Sequence, residues 1–282
     1  MNPTPILGIS DGDLPVLAAC VCESAAAWSS WQSWRARPNF EESSARSLAL
    51  LPAIRHHLLP THPEAVDDTY LRSSQRSCWA TTTLLAHEAA PVLRTLDTPA
   101  PVVRGFAAML RNGDFGSRTC AALDIAASPA SYDATVGHFT DHEWVVEGRT
   151  ALPHSLRRRR ALTRGETLFR RSTGGAVRVH WVDFIDTDSD LRELDGADVL
   201  LPSPVTSAVF ALDYATRQPA ADGLVGIVDV VEHLFAATPD ALAEAARRDG
   251  LWPTLAEAAS VLRRVDALAP LTPAAHYLAR SL

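Results

Sequence analysis

Apolar residues recur at intervals of three and four from residue 14 to residue 34, and Pro38 ends the run, which predicts a helix. Trp28, Trp31 and Trp34 stand within it at i, i+3 and i+6, a stripe that faces a core or an interface. Leu48, Leu51, Ile54 and Leu58 carry a second helix over 44–59, closed by Pro60, and residues 63–96 predict one long helix. The period changes at Pro99. From there β-like runs (100–103, 121–127, 143–146) alternate with helical ones (106–110, 131–140). Three further β-like runs, 152–162, 166–172 and 176–185, are separated by Thr-Arg-Gly and Thr-Gly-Gly turn signals, and 197–202 is a short strand. After Pro204 the helical period returns over 205–216, 224–236, 239–248, 254–268 and 273–282. The pattern predicts an α/β (α+β) chain: a helical region over 1–98, an α/β core with a small mixed sheet over 99–203, and a helical region over 204–282.

With 282 residues, 47% of them apolar, the chain can bury a sizeable core. A net charge of -7 argues against a nucleic-acid-coating protein. All 26 basic residues are arginine, so no lysine chemistry is available. Cys20 and Cys22 are too close for a zinc knuckle, and Cys78 and Cys120 do not complete a site, so the four are expected to be reduced thiols. His56 and His57 diverge on a helix, and Pro60 separates them from His62, which favours structural roles over a metal site. No basic leader and no apolar stretch of ~18 residues is present, which predicts a soluble cytoplasmic protein without a membrane partner.

Candidate chemistry concentrates in residues 100–128. A strand, an Arg104-Gly105 turn, a short helix and the glycine-rich loop Asn112–Ser117 lead to a buried-looking strand with one acid, Asp124. A lone carboxylate there must be paired, hydrogen-bonded or metal-bound, because an unpaired buried charge is too costly. Between Arg149 and Arg178 stand nine arginines and one acid, Glu166. Such a basic band attracts phosphate, an acidic peptide or RNA, or else serves as a solvated edge strand. Only Phe169 interleaves it, so a base-stacking nucleic-acid platform is disfavoured.

The order Val-Val-Arg104-Gly105, Arg118, Ala122-Leu123-Asp124, His154, "VRVHWVDF" and "GIVDVVEHL" resembles the uncharacterised bacterial nucleotidyltransferase family of the polymerase-β-like superfamily. The resemblance implies a small mixed sheet of nucleotidyltransferase type. It implies carboxylates holding Mg²⁺ against an NTP, with the Arg104-Gly105 turn and Gly116-Ser117 near the phosphates. Two of the three expected carboxylates are replaced. Ala122 stands for the first and Arg178 for the third, leaving Asp124, which Arg178 is expected to pair. Asp124, Arg178 and His180 are therefore the catalytic candidates. Arg104, Gly105, Gly116, Ser117, Arg118, Arg158 and Arg160 are the nucleotide- or anion-binding candidates.

Three functions follow. The first is a diverged binding or accessory protein, with peptide natural-product biosynthesis as the context the resemblance suggests. The second is a working nucleotidyltransferase using an NTP and Mg²⁺, and the third is a metal-free enzyme in the same pocket. The expected partner is a negatively charged small molecule, nucleotide or peptide. No resident cofactor or metal is expected unless transfer is retained.

Overall fold

Residues 5–38, 40, 43–151, 163–183 and 185–281 are described by a computed structural model, in which the run expected over 14–34 divides into two helices. These are α1 (Leu14–Val21) and α2 (Ser24–Arg35). The break is a competition for backbone partners. Cys22 is extended and bridges Leu271, and the Glu23 N–H donates to Pro270 O at 2.9 Å. On α1 every residue but Pro15 is buried. On α2 the tryptophans divide: Trp31 and Trp34 are buried edge-on to Phe40, and Trp28 stacks on His62.

The second run also divides, into α3 (Ala45–Leu48), capped by Ser44, and α4 (Leu51–Leu58), with Pro52 in its first turn. The long helix starts later than its pattern. Pro63–Val66 is a 3₁₀ turn, and α5 (Thr69–Leu93) begins where the Asp68 carboxylate accepts from the N–H groups of Tyr70 and Leu71.

The α/β part comprises β1 (Ala100–Pro101), α6 (Gly105–Asn112), β2 (Leu123–Ala127), α7 (Tyr132–Asp141) and β3 (Val145–Ala151). It continues with β4 (Thr163–Arg170), β5 (Ala176–Val182), β6 (Thr187–Leu194) and β7 (Ala197–Pro202). The fold is α+β, and its strands form two small mixed sheets, ordered β2-β5-β4-β3 and β1-β7-β6. β2 is parallel to β5 and β1 to β7; the other neighbours are antiparallel. A bridge between Val102 and Ile125 joins the sheets. The β2–β5 register sets Asp124 beside Arg178 and Ala126 beside His180. β6 was not expected, because "TDSDLREL" carries no apolar alternation. Its signal is the Asp195-Gly196 pair, both at positive φ (49° and 76°), which makes the tight turn into β7.

The chain closes with α8 (Pro204–Arg217), α9 (Pro219–His233), α10 (Pro239–Arg248), α11 (Trp252–Asp266) and α12 (Pro273–Ser281). The N-terminal helices and these C-terminal ones share one hydrophobic core, and the sheets with the second half of α5 form another. α8 and α9 cross closely at Gly226, where a Cβ would lie 2.6 Å from that of Ala215. Among the described residues no helix is long and apolar enough to cross a membrane. Polar side chains line the seam between the two cores, and the candidate site lies there.

Candidate functional site

Asp124 is the hub of the seam. It is buried, and both of its oxygens are held by arginine. Arg104 Nη1 donates to Oδ2 and Arg178 Nη1 to Oδ1, each at 2.9 Å. His180 Nε2 lies 2.8 Å from Oδ1, so the three catalytic candidates meet at one point. Arg178 is delivered by the β2–β5 register. Arg104 is delivered by backbone strain: φ is 63°, a region a non-glycine residue rarely occupies. Gly105 follows it because a Cβ there would lie 2.5 Å from Cys120 Sγ. The Arg104 guanidinium lies 3.1 Å from the centre of the Tyr214 ring, and the Tyr214 hydroxyl accepts from Arg178 Nη1 at 3.1 Å.

The electrostatics follow from burial and charge. Burial alone would raise the Asp124 carboxyl, but Arg104, His180 and Arg178 hold it well below the ordinary carboxylate range. Burial opposes the charge on Arg104 and on Arg178, and Asp124 together with Tyr214 and the neighbouring acids outweighs it in both. Burial pushes His180 down against the opposing bond to Asp124. A second layer surrounds Glu166, whose carboxylate accepts from Arg217 Nη1 at 3.0 Å. Arg217 Nη2 also lies 2.9 Å from Asp213, a carboxyl that burial raises. His180 Nδ1 and Arg178 Nε face Glu166 at 3.6 and 3.8 Å without bonding it.

Arg118 does not join Arg104 and Arg178 in one pocket. It is drawn to α9, where Asp229 and Glu232, three apart, form a two-carboxylate seat. Its Nε donates to Asp229 Oδ1 at 2.7 Å, Nη1 to Ser117 O at 2.8 Å, and Nη2 pairs with Glu232. With every nitrogen bonded, the side chain buried and two carboxylates set against one guanidinium, Arg118 is a poor seat for an anion.

The Gly116-Ser117 loop also closes on itself, against the expectation of a phosphate contact. The Gly116 N–H donates to Asp114 Oδ1 at 2.9 Å, and the Ser117 N–H and Oγ both donate to Asp114 O. Ser117 is fully buried, and Gln75 packs against Gly116. Arg158 and Arg160, like His154, lie outside the described residues. Elsewhere in the basic band, Arg170 pairs with Glu147 at 2.7 Å and Arg171 lies 3.9 Å from Glu143.

The Mg²⁺ ion that the resemblance implies does not fit this donor set. Ala122 offers no oxygen, Arg178 puts a guanidinium where the third carboxylate is expected, and both Asp124 oxygens are engaged. Among the described residues no three His, Cys, Asp or Glu side chains are grouped to hold a metal ion. The histidines near the N-terminal helices have separate partners: His56 on Asp114, His57 on Cys22 O, His62 on Ser24 O.

Sequence reasoning missed Tyr214, Asp213, Arg217 and Glu166. Asp213 and Arg217 carried a signal, an i,i+4 acid–base pair on one helix. Glu166, the one acid in the basic band, carried another. On α9, Asp222, Asp229 and His233 stand at i, i+7 and i+11 along one face, which meets Arg104, Arg118 and Arg111 in turn. Burial, with the charges of Arg111 and Arg118, pushes His233 down to about 3. No family model matches this chain, and neither the curated proteins nor the solved structures give a match to it.

Proposed function

We propose that this chain is a cytoplasmic binding or accessory protein on a nucleotidyltransferase-like core, diverged from metal-dependent nucleotidyl transfer. The observation that carries the reading is the Asp124 carboxylate held at 2.9 Å by Arg104 on one oxygen and by Arg178 on the other. A divalent cation would have to displace both guanidinium groups and leave them uncompensated. Breaking buried pairs of this kind costs about 3–5 kcal/mol. The ligand class the sequence favours is anionic, a small molecule, nucleotide or acidic peptide, because nine arginines face one acid between residues 149 and 178.

The test is calorimetric titration of ATP, GTP, CTP and UTP with and without Mg²⁺. The reading expects nucleotide affinity, measurable or not, to be unchanged by Mg²⁺. A tenfold tightening, about 1.4 kcal/mol, favours a working transferase and overturns it.

A further inference from the structure

At the far end of α9 from the Asp124 cluster lies a cleft of about 280 Å³, between α1, α4, α9 and the start of α12. That is close to the roughly 300–1,000 Å³ typical of small-molecule sites. Ala53, Val228 and Val231 line it with apolar surface, and so does Phe235, a large side chain left 68% exposed.

Its polar lining includes two acceptor atoms without a partner among the described residues, Thr272 Oγ1 and His57 Nδ1. Beside them stand groups already paired: Glu232 with Asn112 and Arg118, and His56 with Asp114. Thr272 is nine-tenths buried, and its Oγ1 has no hydrogen-bond partner, an arrangement that costs about 1–3 kcal/mol unless a ligand satisfies it. His57 Nε2 lies 2.8 Å from Cys22 O; a carbonyl only accepts, so the proton sits on Nε2. Burial lowers the affinity of His57 for a second proton, which leaves Nδ1 an unprotonated acceptor with no partner among the described residues. Glu232 takes one bond from Asn112 and one from Arg118, and a carboxylate has lone pairs for more. Arg118, the arginine that lines the cleft, is paired with both Asp229 and Glu232, so two carboxylates outweigh its charge and disfavour an anion there.

We propose that this cleft binds a small primary amine bearing an aliphatic or aromatic group. The ammonium donates to Thr272 Oγ1, His57 Nδ1 and the Glu232 carboxylate, and the carbon chain lies along Val228, Val231 and Phe235. The assignment goes beyond the metal-free reading of the Asp124 cluster and stands or falls separately from it.

The experiment titrates phenethylamine and n-hexylamine, against n-hexanoate and inorganic phosphate, into the full chain and follows methyl NMR shifts. The amines are expected to saturate at millimolar concentration or below, shifting the Val228 and Val231 methyls, while the two anions leave those signals in place. Thr272→Val is expected to weaken amine binding about fivefold, near 1 kcal/mol, and Thr272→Ser, which keeps the hydroxyl, to restore it. Hexanoate or phosphate binding as tightly as the amines would overturn the proposal. So would the absence of saturation by about 50 mM, about 2 kcal/mol on the affinity scale, or an amine affinity unchanged in Thr272→Val. The comparison of amines with anions uses the unmodified protein, so it decides the matter even if Thr272→Val fails to fold.

Discussion

The two ends of α9 solve the burial of polar groups in opposite ways. Near its start, Asp124 sits among Arg104, Arg178 and His180 with both oxygens engaged. Near its end, Thr272 Oγ1 is buried without a partner beside an open cleft. At the first, the carboxylate is closed: an incoming cation must break its bonds to Arg104 and Arg178 before it makes any, although Arg178 Nε and His180 Nδ1 beside it are left without a partner. The second is incomplete, and a ligand can add bonds without breaking any. The family-like motif thus marks a carboxylate closed to a metal ion, and the open cleft lies among helices whose pattern reads as ordinary core.

The comparison predicts a graded set of effects. Asp124→Asn should be the most damaging, because it leaves Arg104 and Arg178 buried with no full countercharge. The loss expected is about 3–5 kcal/mol, read as a fall in the urea midpoint. A loss below about 1 kcal/mol would mean that the cluster behaves as a solvated surface network.

The next effect is pH dependence from His233, whose folded-state pKa lies near 3 against an ordinary value of 6.5. Below 6.5 the unfolded chain takes up a proton that the folded one refuses, so stability falls as pH falls through the window from 6.5 to about 3. Between pH 6.5 and 5 this amounts to about 2 kcal/mol. His233→Asn should flatten the slope in a series of thermal melts, and an unchanged slope would assign it to other groups. Asp124 contributes only at the acid end of that window. Its depressed pKa gives stability that is present above the ordinary carboxylate range and lost only as pH drops below it.

The smallest effect belongs to the cleft. Thr272→Val should change stability by no more than about 0.5 kcal/mol, or raise it, because the hydroxyl has no partner to lose. A cost above about 1 kcal/mol would show that Oγ1 is satisfied in solution, and the contrast between the two ends would lose its basis.

Much of the fold was legible because period and punctuation agreed. The residues 239–248, bounded by Thr238-Pro239 and Gly250, were expected as a helix and form α10. The failures came where a backbone partner from afar intervened. Nothing local in residues 14–34 reveals that Pro270 and Leu271 will capture the backbone at Glu23 and Cys22. The Asp124–Arg178 pair was legible because the family resemblance sets their two strands side by side, and the structure places their groups 2.9 Å apart. Arg118 was misplaced for the opposite reason: its partners, Asp229 and Glu232, are over a hundred residues away, and only the packing of α9 on the seam brings them to it. The cleft left no trace in the sequence, because an unpartnered threonine looks like any other.

The most direct test of the central claim, that Asp124 is closed by arginine and is not a metal ligand, is an electron-paramagnetic titration of Mn²⁺ into the wild-type chain and into Asp124→Asn. The account predicts only weak, unsaturated binding up to about 1 mM, about 4 kcal/mol on the affinity scale, with the same curve for both proteins. A saturable site tighter than about 0.1 mM, roughly 5.5 kcal/mol, that disappears in Asp124→Asn would contradict it.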